Sequence, residues 1–247
     1  ELVVGGVGRS GLHGGAWTAG AKRVRQTGGN RNCDFLLSTR SEPMTDDDDP
    51  AAWWDEAYER DAAPWDTGEP QSVLAGVADR PECWRVLAPG CGTGTHAVHF
   101  AGHGHDVVGV DISENAVEHA RANADEHGVE ATFHVDDVRE LDGVDGPFDA
   151  VVDSGTFHVF AGAERERYVD ALAGVVADGG RVFLLAFGAD APDDAGPTPV
   201  SHDDVRTAFA EGWRVREVRD APFGTRHGDV PGTYAVVERT AENGGTA

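Results

Sequence analysis

The sequence predicts an α/β fold in which a largely parallel sheet carries helices on both faces. Two observations point there. From Met44 onward, short runs of apolar and β-branched residues alternate with amphipathic stretches, the pattern of βαβ units. Glycine-rich or acidic turns also stand at the carboxyl ends of the first four apolar runs, where open α/β sheets bind ligands. A chain of 247 residues with 40% hydrophobic content is long enough for one such domain and its core.

Seven strands are expected, at Arg85–Ala88, Asp106–Val110, Ala131–Val135, Asp149–Asp153, Arg181–Phe187, Trp213–Arg219 and Thr233–Arg239. Between them lie helical patterns at Thr95–Gly102, Glu114–Glu126, Glu164–Ala177 and His202–Glu211. Ser113 and Ser201 are N-caps followed by acids in the first turn, which suit the positive end of a helix. Asp178-Gly179-Gly180 reads as a helix stop ahead of a strand. Two further helical pieces, Ala51–Arg60 and Gln71–Ala78, precede the first strand and flank APWDTGEP. The organisation is therefore an N-terminal helical cover over residues 44–82, one nucleoside-binding domain over 83–240, and a Gly-rich, frayed tail over 241–247.

Charge divides the chain at one point. Residues 1–43 carry Arg9, Lys22, Arg23, Arg25, Arg31 and Arg40 against Glu1, Asp34 and Glu42. The rest holds 41 of the 44 acidic groups and no lysine, and the whole chain has a net charge of −24. The leading segment is a basic disordered tail or upstream sequence ahead of a natural start at Met44; the coincident change in charge, lysine and methionine favours the second. The acidic, lysine-free remainder is similar to proteins of salt-loving organisms, whose carboxylates hold hydration in strong salt. It also argues against nucleic acid as a partner. No apolar run reaches the ~18 residues of a membrane span. Three cysteines, Cys33, Cys83 and Cys91, form no CxxC and no disulfide framework, and read as reduced thiols in the cytoplasm.

The strongest local signal is Val86-Leu87-Ala88-Pro89-Gly90-Cys91-Gly92-Thr93-Gly94, a strand running into a glycine turn that opens a helix. A dinucleotide fingerprint needs glycine or alanine where this chain has Thr95, and no GK[ST] follows, so a smaller nucleoside is the better ligand. Seventeen residues past Gly94, the second strand ends at Asp111-Ile112, and an acid there can accept from both hydroxyls of a ribose. The third ends at Asp136-Asp137-Val138. Asp137 is placed to accept from an adenine amino group while Val138 packs on the ring, although such acid pairs are also ordinary surface residues. The fourth ends at Asp153-Ser154-Gly155-Thr156-Phe157-His158.

With these four strand ends in order, the chain resembles the class I S-adenosylmethionine-dependent methyltransferases from roughly Trp53 to Arg239. The resemblance implies a Rossmann-like, seven-stranded, mostly parallel sheet with its last strand antiparallel, and S-adenosylmethionine as cofactor. It assigns cofactor contacts to Gly90, Cys91, Gly92, Gly94, Asp111, Ile112, Asp137, Val138, Asp153 and Ser154. Ala88 departs from the family's usual acid. Leu87-Ala88-Pro89-Gly90-Cys91-Gly92, and the segment Trp54-Asp55-Glu56-Ala57-Tyr58 with Pro64-Trp65-Asp66-Thr67-Gly68-Glu69-Pro70, are similar to the thiol/halide and thiopurine methyltransferase branch, in which this second segment covers the cofactor. Trp65 can face the sulfonium cation, anchor the cover in the core, or do both.

The implied function is methyl transfer to a small thiol, halide, heteroaromatic or quinol acceptor, driven mainly by positioning. A protein acceptor is harder to exclude than nucleic acid. His158 is the one candidate base, as an O- or N-methyltransferase would require; the alternative is a hydrogen-bonded pocket wall. A non-catalytic cofactor-binding sensor or partner subunit is a further alternative, against which the intact cover and the acceptor-side motif argue. A nicotinamide dehydrogenase is disfavoured by Thr95. His96, His99 and His103 share a helix face, but no Cys or acid completes a ligand set, so no metal is assigned. Cys91 lacks a paired base and is not a nucleophile.

Overall fold

The computed structural model describes residues 50–59, 65–192 and 197–241. The expectations for residues 1–43 and for the tail from 242 lie outside the described residues. Helices α1 (Pro50–Glu59) and α2 (Ser72–Ala75) precede β1 (Arg85–Pro89), α3 (Thr95–Gly102), β2 (Asp106–Asp111), α4 (Glu114–His127) and β3 (Thr132–Val135). Then come β4 (Phe148–Ser154), a 3-10 turn (Phe157–Val159), α5 (Ala163–Val175), β5 (Val176–Phe187), α6 (His202–Ala208), β6 (Trp213–Thr225) and β7 (Gly228–Arg239). The seven strands form one sheet in the order β3-β2-β1-β4-β5-β7-β6. β7 pairs antiparallel with both β5 and β6, and the other pairs are parallel.

The chain order explains what the sheet presents. From β1 the strands step outward to β2 and β3, then return to β4 on the other side. The reversal leaves a crevice beyond the carboxyl ends of β1 and β4. Alternate residues of the strands feed two cores. One, with Val86, Val152 and Phe183, takes the apolar stripes of α2, α3 and α4. The other, with Leu87, Val151 and Leu184, takes α5 and α6 through Tyr168, Leu172 and Val205. Burying each such side chain contributes about 1.5–3 kcal/mol, so both layers hold the strand ends in register.

The caps match the sequence signals. Ser113 Oγ accepts the Ala116 N–H at the start of α4. Ser201 and Asp204 form a reciprocal capping box on α6. Three features differ from expectation. The glycines at 179–180 do not end a helix; α5 runs straight into β5, and they shape an irregularity inside the strand. A Cβ at Gly180 would stand 2.8 Å from the Ala177 carbonyl and 2.9 Å from that of Phe148. β6 and β7 run on beyond Arg219 and start before Thr233, forming a long hairpin. Pro222, Gly224, Pro231 and Gly232 interrupt the apolar alternation there and hide the pairing from a periodicity argument. Finally, only Ser72–Ala75 of the second cover segment is α-helical.

Candidate functional site

β1 delivers Pro89 to the crevice, and the chain then turns through Gly90 and Gly92 at φ +57° and +52°. Neither tolerates a side chain. A Cβ at Gly90 would lie 2.2 Å from Thr156 Oγ1, which donates to the Pro89 carbonyl. One at Gly92 would lie 2.8 Å from the Tyr58 hydroxyl. The loop is pinned to β2, with Cys91 N–H donating to the Val110 carbonyl and Gly92 N–H donating to Asp111 Oδ2 at 2.8 Å. Gly94 then leads into α3.

Asp111 is buried at the end of β2, and its other oxygen accepts the Ser113 N–H at 3.0 Å. Burial raises its carboxyl, and the backbone N–H groups of Ser113, Gly92 and Ile112 partly offset that. A carboxylate offers about four lone-pair sites, so accepting capacity remains for a ribose hydroxyl. Half-buried Ile112 follows, and Val135, opposite Asp111 in the β2–β3 register, leaves half its surface exposed. These residues fit a nucleoside: an acid with accepting capacity left, flanked by apolar surface, beside a turn too tight for side chains. Val135 carries no motif signal, since it reads as one more β-branched strand residue.

Two other strand-end acids are occupied by the protein. Asp137 accepts from Arg139 through its N–H and guanidinium, at 2.6–3.1 Å. Burial would raise this carboxyl, but the Arg139 bonds outweigh it and hold it below the usual carboxylate range. Arg139 also reaches Glu164 on α5. Asp137 is thus a loop-to-helix clamp rather than a free acceptor for an adenine amino group. Val138 is buried in the α5-side core, with little surface left for a ring. Asp153 is fully buried and faces α5, accepting from Thr156 N–H, Phe157 N–H and the Tyr168 hydroxyl. Desolvation raises it to about 6 despite these donors. It caps the 3-10 turn and does not face the crevice. Ser154, next along β4, is half-exposed at the strand end.

His158 is engaged by the backbone of β5. Its Nδ1 accepts the Phe187 N–H at 2.9 Å, so the neutral ring carries its proton on Nε2 and can only donate there. Burial, reinforced by the Arg165 charge, lowers its pKa to about 3. The ring packs against Phe187 and Phe223, with centroids at 4.6 and 5.7 Å, and is a hydrogen-bonded wall at the ends of β4 and β5. Burial, with Asp111 nearby, raises the Cys91 thiol well above its ordinary range.

The cover closes on the glycine loop. Tyr58 is buried over Gly92, and Trp65 Nε1–H points to its hydroxyl at 3.4 Å. Trp54 meets Trp65 edge-on at 5.4 Å. Asp55 accepts from the Ser113 hydroxyl and the Asn115 N–H, placing a carboxylate at the N-terminus of α4. Asp55 and Tyr58 lie in the segment whose resemblance implies a cover, but their bonding partners depend on how α1 docks. Trp65 joins the aromatic cluster and also packs on the main core. On α3, His96 accepts from Gln71 N–H, and His99 bonds the Ala75 carbonyl. A separate cavity of about 940 Å³, lined by Gly188, Ser201, His202, Asp220 and Pro231, lies beyond β5 and includes none of the nominated residues.

A family model described as thiopurine S-methyltransferase matches residues 49–227. A 2-heptyl-1-hydroxyquinolin-4(1H)-one methyltransferase of Mycobacteroides abscessus is 34% identical over 172 residues, 67% of this chain and 76% of the relative. A probable thiol methyltransferase of Arabidopsis thaliana is 30% identical over 152 residues, 60% of this chain and 67% of the relative. A solved structure reported for the conversion of a disulfide bond into a thioacetal group during echinomycin biosynthesis superposes with a TM-score of 0.68. It is 30% identical and covers 77% of this chain and 93% of the other.

Proposed function

The chain belongs to the thiopurine S-methyltransferase family, and on that premise we propose how its residues divide the work of methylating a small acceptor. It is an S-adenosylmethionine-dependent methyltransferase of the class I fold. The cofactor supplies a methyl group on a sulfonium, which an acceptor attacks in line. Asp111 takes the ribose hydroxyls, and Ile112 and Val135 flank the adenine. The turn at Gly90–Gly94, with Ser154 beside it, gives the rest of the cofactor close backbone approach. Trp65 and Tyr58 close over it and exclude water, and the Trp65 ring supports the cation.

The observation that carries the acceptor class is the tautomer of His158. Nδ1 is committed to the Phe187 N–H, and burial keeps the Tyr58 phenol and the Cys91 thiol protonated, so none of these three nominated groups among the described residues is ready to act as a base. The acceptor therefore brings its own competent nucleophile. A thiol, a halide or an acidic hydroxyl on a heteroaromatic ring fits; an alkyl alcohol does not. The Mycobacteroides and Arabidopsis relatives, named for a hydroxyquinolone and a thiol, agree with this range. Free Cys83 and Cys91 suit the cytoplasm, and the acidic composition suits a salt-rich one. No helix among the described residues is long and apolar enough to cross a membrane.

The test is an acceptor screen in high salt, following S-adenosylhomocysteine release across pH. For each active acceptor, kcat/KM should rise with the acceptor's own ionisation, with no enzyme limb between pH 5 and 8. A limb near pH 6.5 shared by all acceptors and lost in His158→Gln would restore His158 as the base.

A further inference from the structure

Gln71 is buried although its side chain is polar, and each of its hydrogen-bonding groups has a partner. Its Nε2 donates to the Gly224 carbonyl at 2.9 Å, and its Oε1 accepts the Gly224 N–H at 2.8 Å. The carboxamide thus adds to the free edge of β6, the edge strand of the sheet, as a second backbone would. Its own N–H donates to His96 Nε2 at 3.0 Å, and its carbonyl accepts from the first turn of α2.

The same cover segment is tied at its other end. The Asp66 carboxylate accepts from the Thr93 hydroxyl at 2.9 Å, inside the glycine turn, and the Asp66 carbonyl accepts from Arg226 at the hairpin tip. Residues 65–71 therefore bridge the glycine turn and the β6–β7 hairpin. The hairpin is a firm anchor, because Phe223, next to Gly224, packs on Phe187 at 4.7 Å and on His158.

We propose that Gln71 is a positioning residue for cofactor binding: its two bonds to Gly224 hold the cover segment, and with it Trp65, closed over the glycine turn. The proposal rests on the reading of that turn as the S-adenosylmethionine site. It makes a chemical demand. Position 71 must present one donor and one acceptor side by side. A carboxylate loses the donor and sets its charge against the Gly224 carbonyl, whereas a protonated carboxylic acid restores both bonds. The groups facing this spot are His96, which burial lowers to about 4 and which stays neutral through the test range, Asp229 beside Gly224, and Arg226 and Asp66 at the tip. Burial and Asp229 both favour protonation of a glutamate there at mildly acidic pH.

The experiment is calorimetric titration of S-adenosylmethionine into the wild-type protein, Gln71→Ala and Gln71→Glu from pH 8 to pH 5 in high salt. The expected result is a Kd about tenfold weaker for Gln71→Ala at every pH. Gln71→Glu should bind as weakly at pH 8 and recover toward the wild type by pH 5. That recovery occurs within one protein sample, so it is readable even where Gln71→Ala folds poorly. A wild type that binds, with Gln71→Ala within twofold of it or Gln71→Glu level across pH, overturns the proposal alone. A folded wild type that binds no S-adenosylmethionine overturns the methyltransferase reading and this role together.

Discussion

At the scale of single residues, the four strand-end acids divide by what surrounds them. Asp111, Asp136, Asp137 and Asp153 look alike in sequence, each following an apolar run. In the fold, Asp111 keeps unused lone pairs beside the glycine turn, Asp137 is held by Arg139, Asp136 accepts from Asp137 and Gly143 N–H groups, and Asp153 turns to Tyr168 on the opposite layer. Sequence spacing finds strand ends; it does not tell which face a side chain takes or whether an arginine two residues on will claim it. The same limit applies to His158, whose position was legible and whose tautomer was not, because the Phe187 N–H comes from a strand 29 residues away. Asp153 has a measurable consequence. Its carboxyl is raised from 3.8 to about 6, so the folded protein keeps a proton that the unfolded chain releases between those values. Its contribution to stability is thus present below pH 4 and is lost as pH rises through 6, by about 3 kcal/mol. Denaturant unfolding from pH 4 to 7 should show this slope in the wild type and its loss in Asp153→Asn. Parallel curves for the two proteins would refute the assignment.

At the scale of elements, the βα units were readable because apolar β-branched runs alternate with amphipathic stretches, and α4 and α6 open with serine caps. The attachment of the cover and its ties to the hairpin were not, for a shared reason. Their contacts are long-range and made by few side chains: Gln71 with Gly224, Asp66 with Thr93, and Tyr58 over Gly92. APWDTGEP announced a functional loop by its resemblance, while its attachment points depend on the tertiary fold. Within the cover, the Trp54, Tyr58 and Trp65 rings meet the body at the crevice, so truncating one of them should affect binding more than folding. Trp65→Ala is expected to lower kcat/KM at least tenfold while shifting Tm by only a few degrees, measured by turnover and thermal melts on one preparation. A variant of full activity would count against closure over the cofactor.

At the scale of the whole molecule, 44 acidic against 20 basic groups leave a net charge of −24. Several of the ion pairs that do form are exposed, such as Arg167 with Glu140 and Arg219 with Glu217, and contribute little to stability. Self-repulsion of this size is screened by salt, with a Debye length of about 3 Å at 1 M against about 30 Å at 0.01 M. Tm should therefore rise between dilute and molar potassium chloride; a Tm level across that range would refute the salt-adapted reading. The surplus of carboxylates also favours a cationic cofactor over an anionic dinucleotide, in agreement with Thr95 standing where a dinucleotide fingerprint needs glycine or alanine. The most direct measurement is calorimetric titration of S-adenosylmethionine and of NAD, each into the wild-type protein and into Asp111→Ala, in high salt. The expected result is micromolar binding of S-adenosylmethionine alone, weakened by about 1–3 kcal/mol in Asp111→Ala. Binding of NAD, or S-adenosylmethionine affinity untouched by loss of Asp111, would contradict the site described.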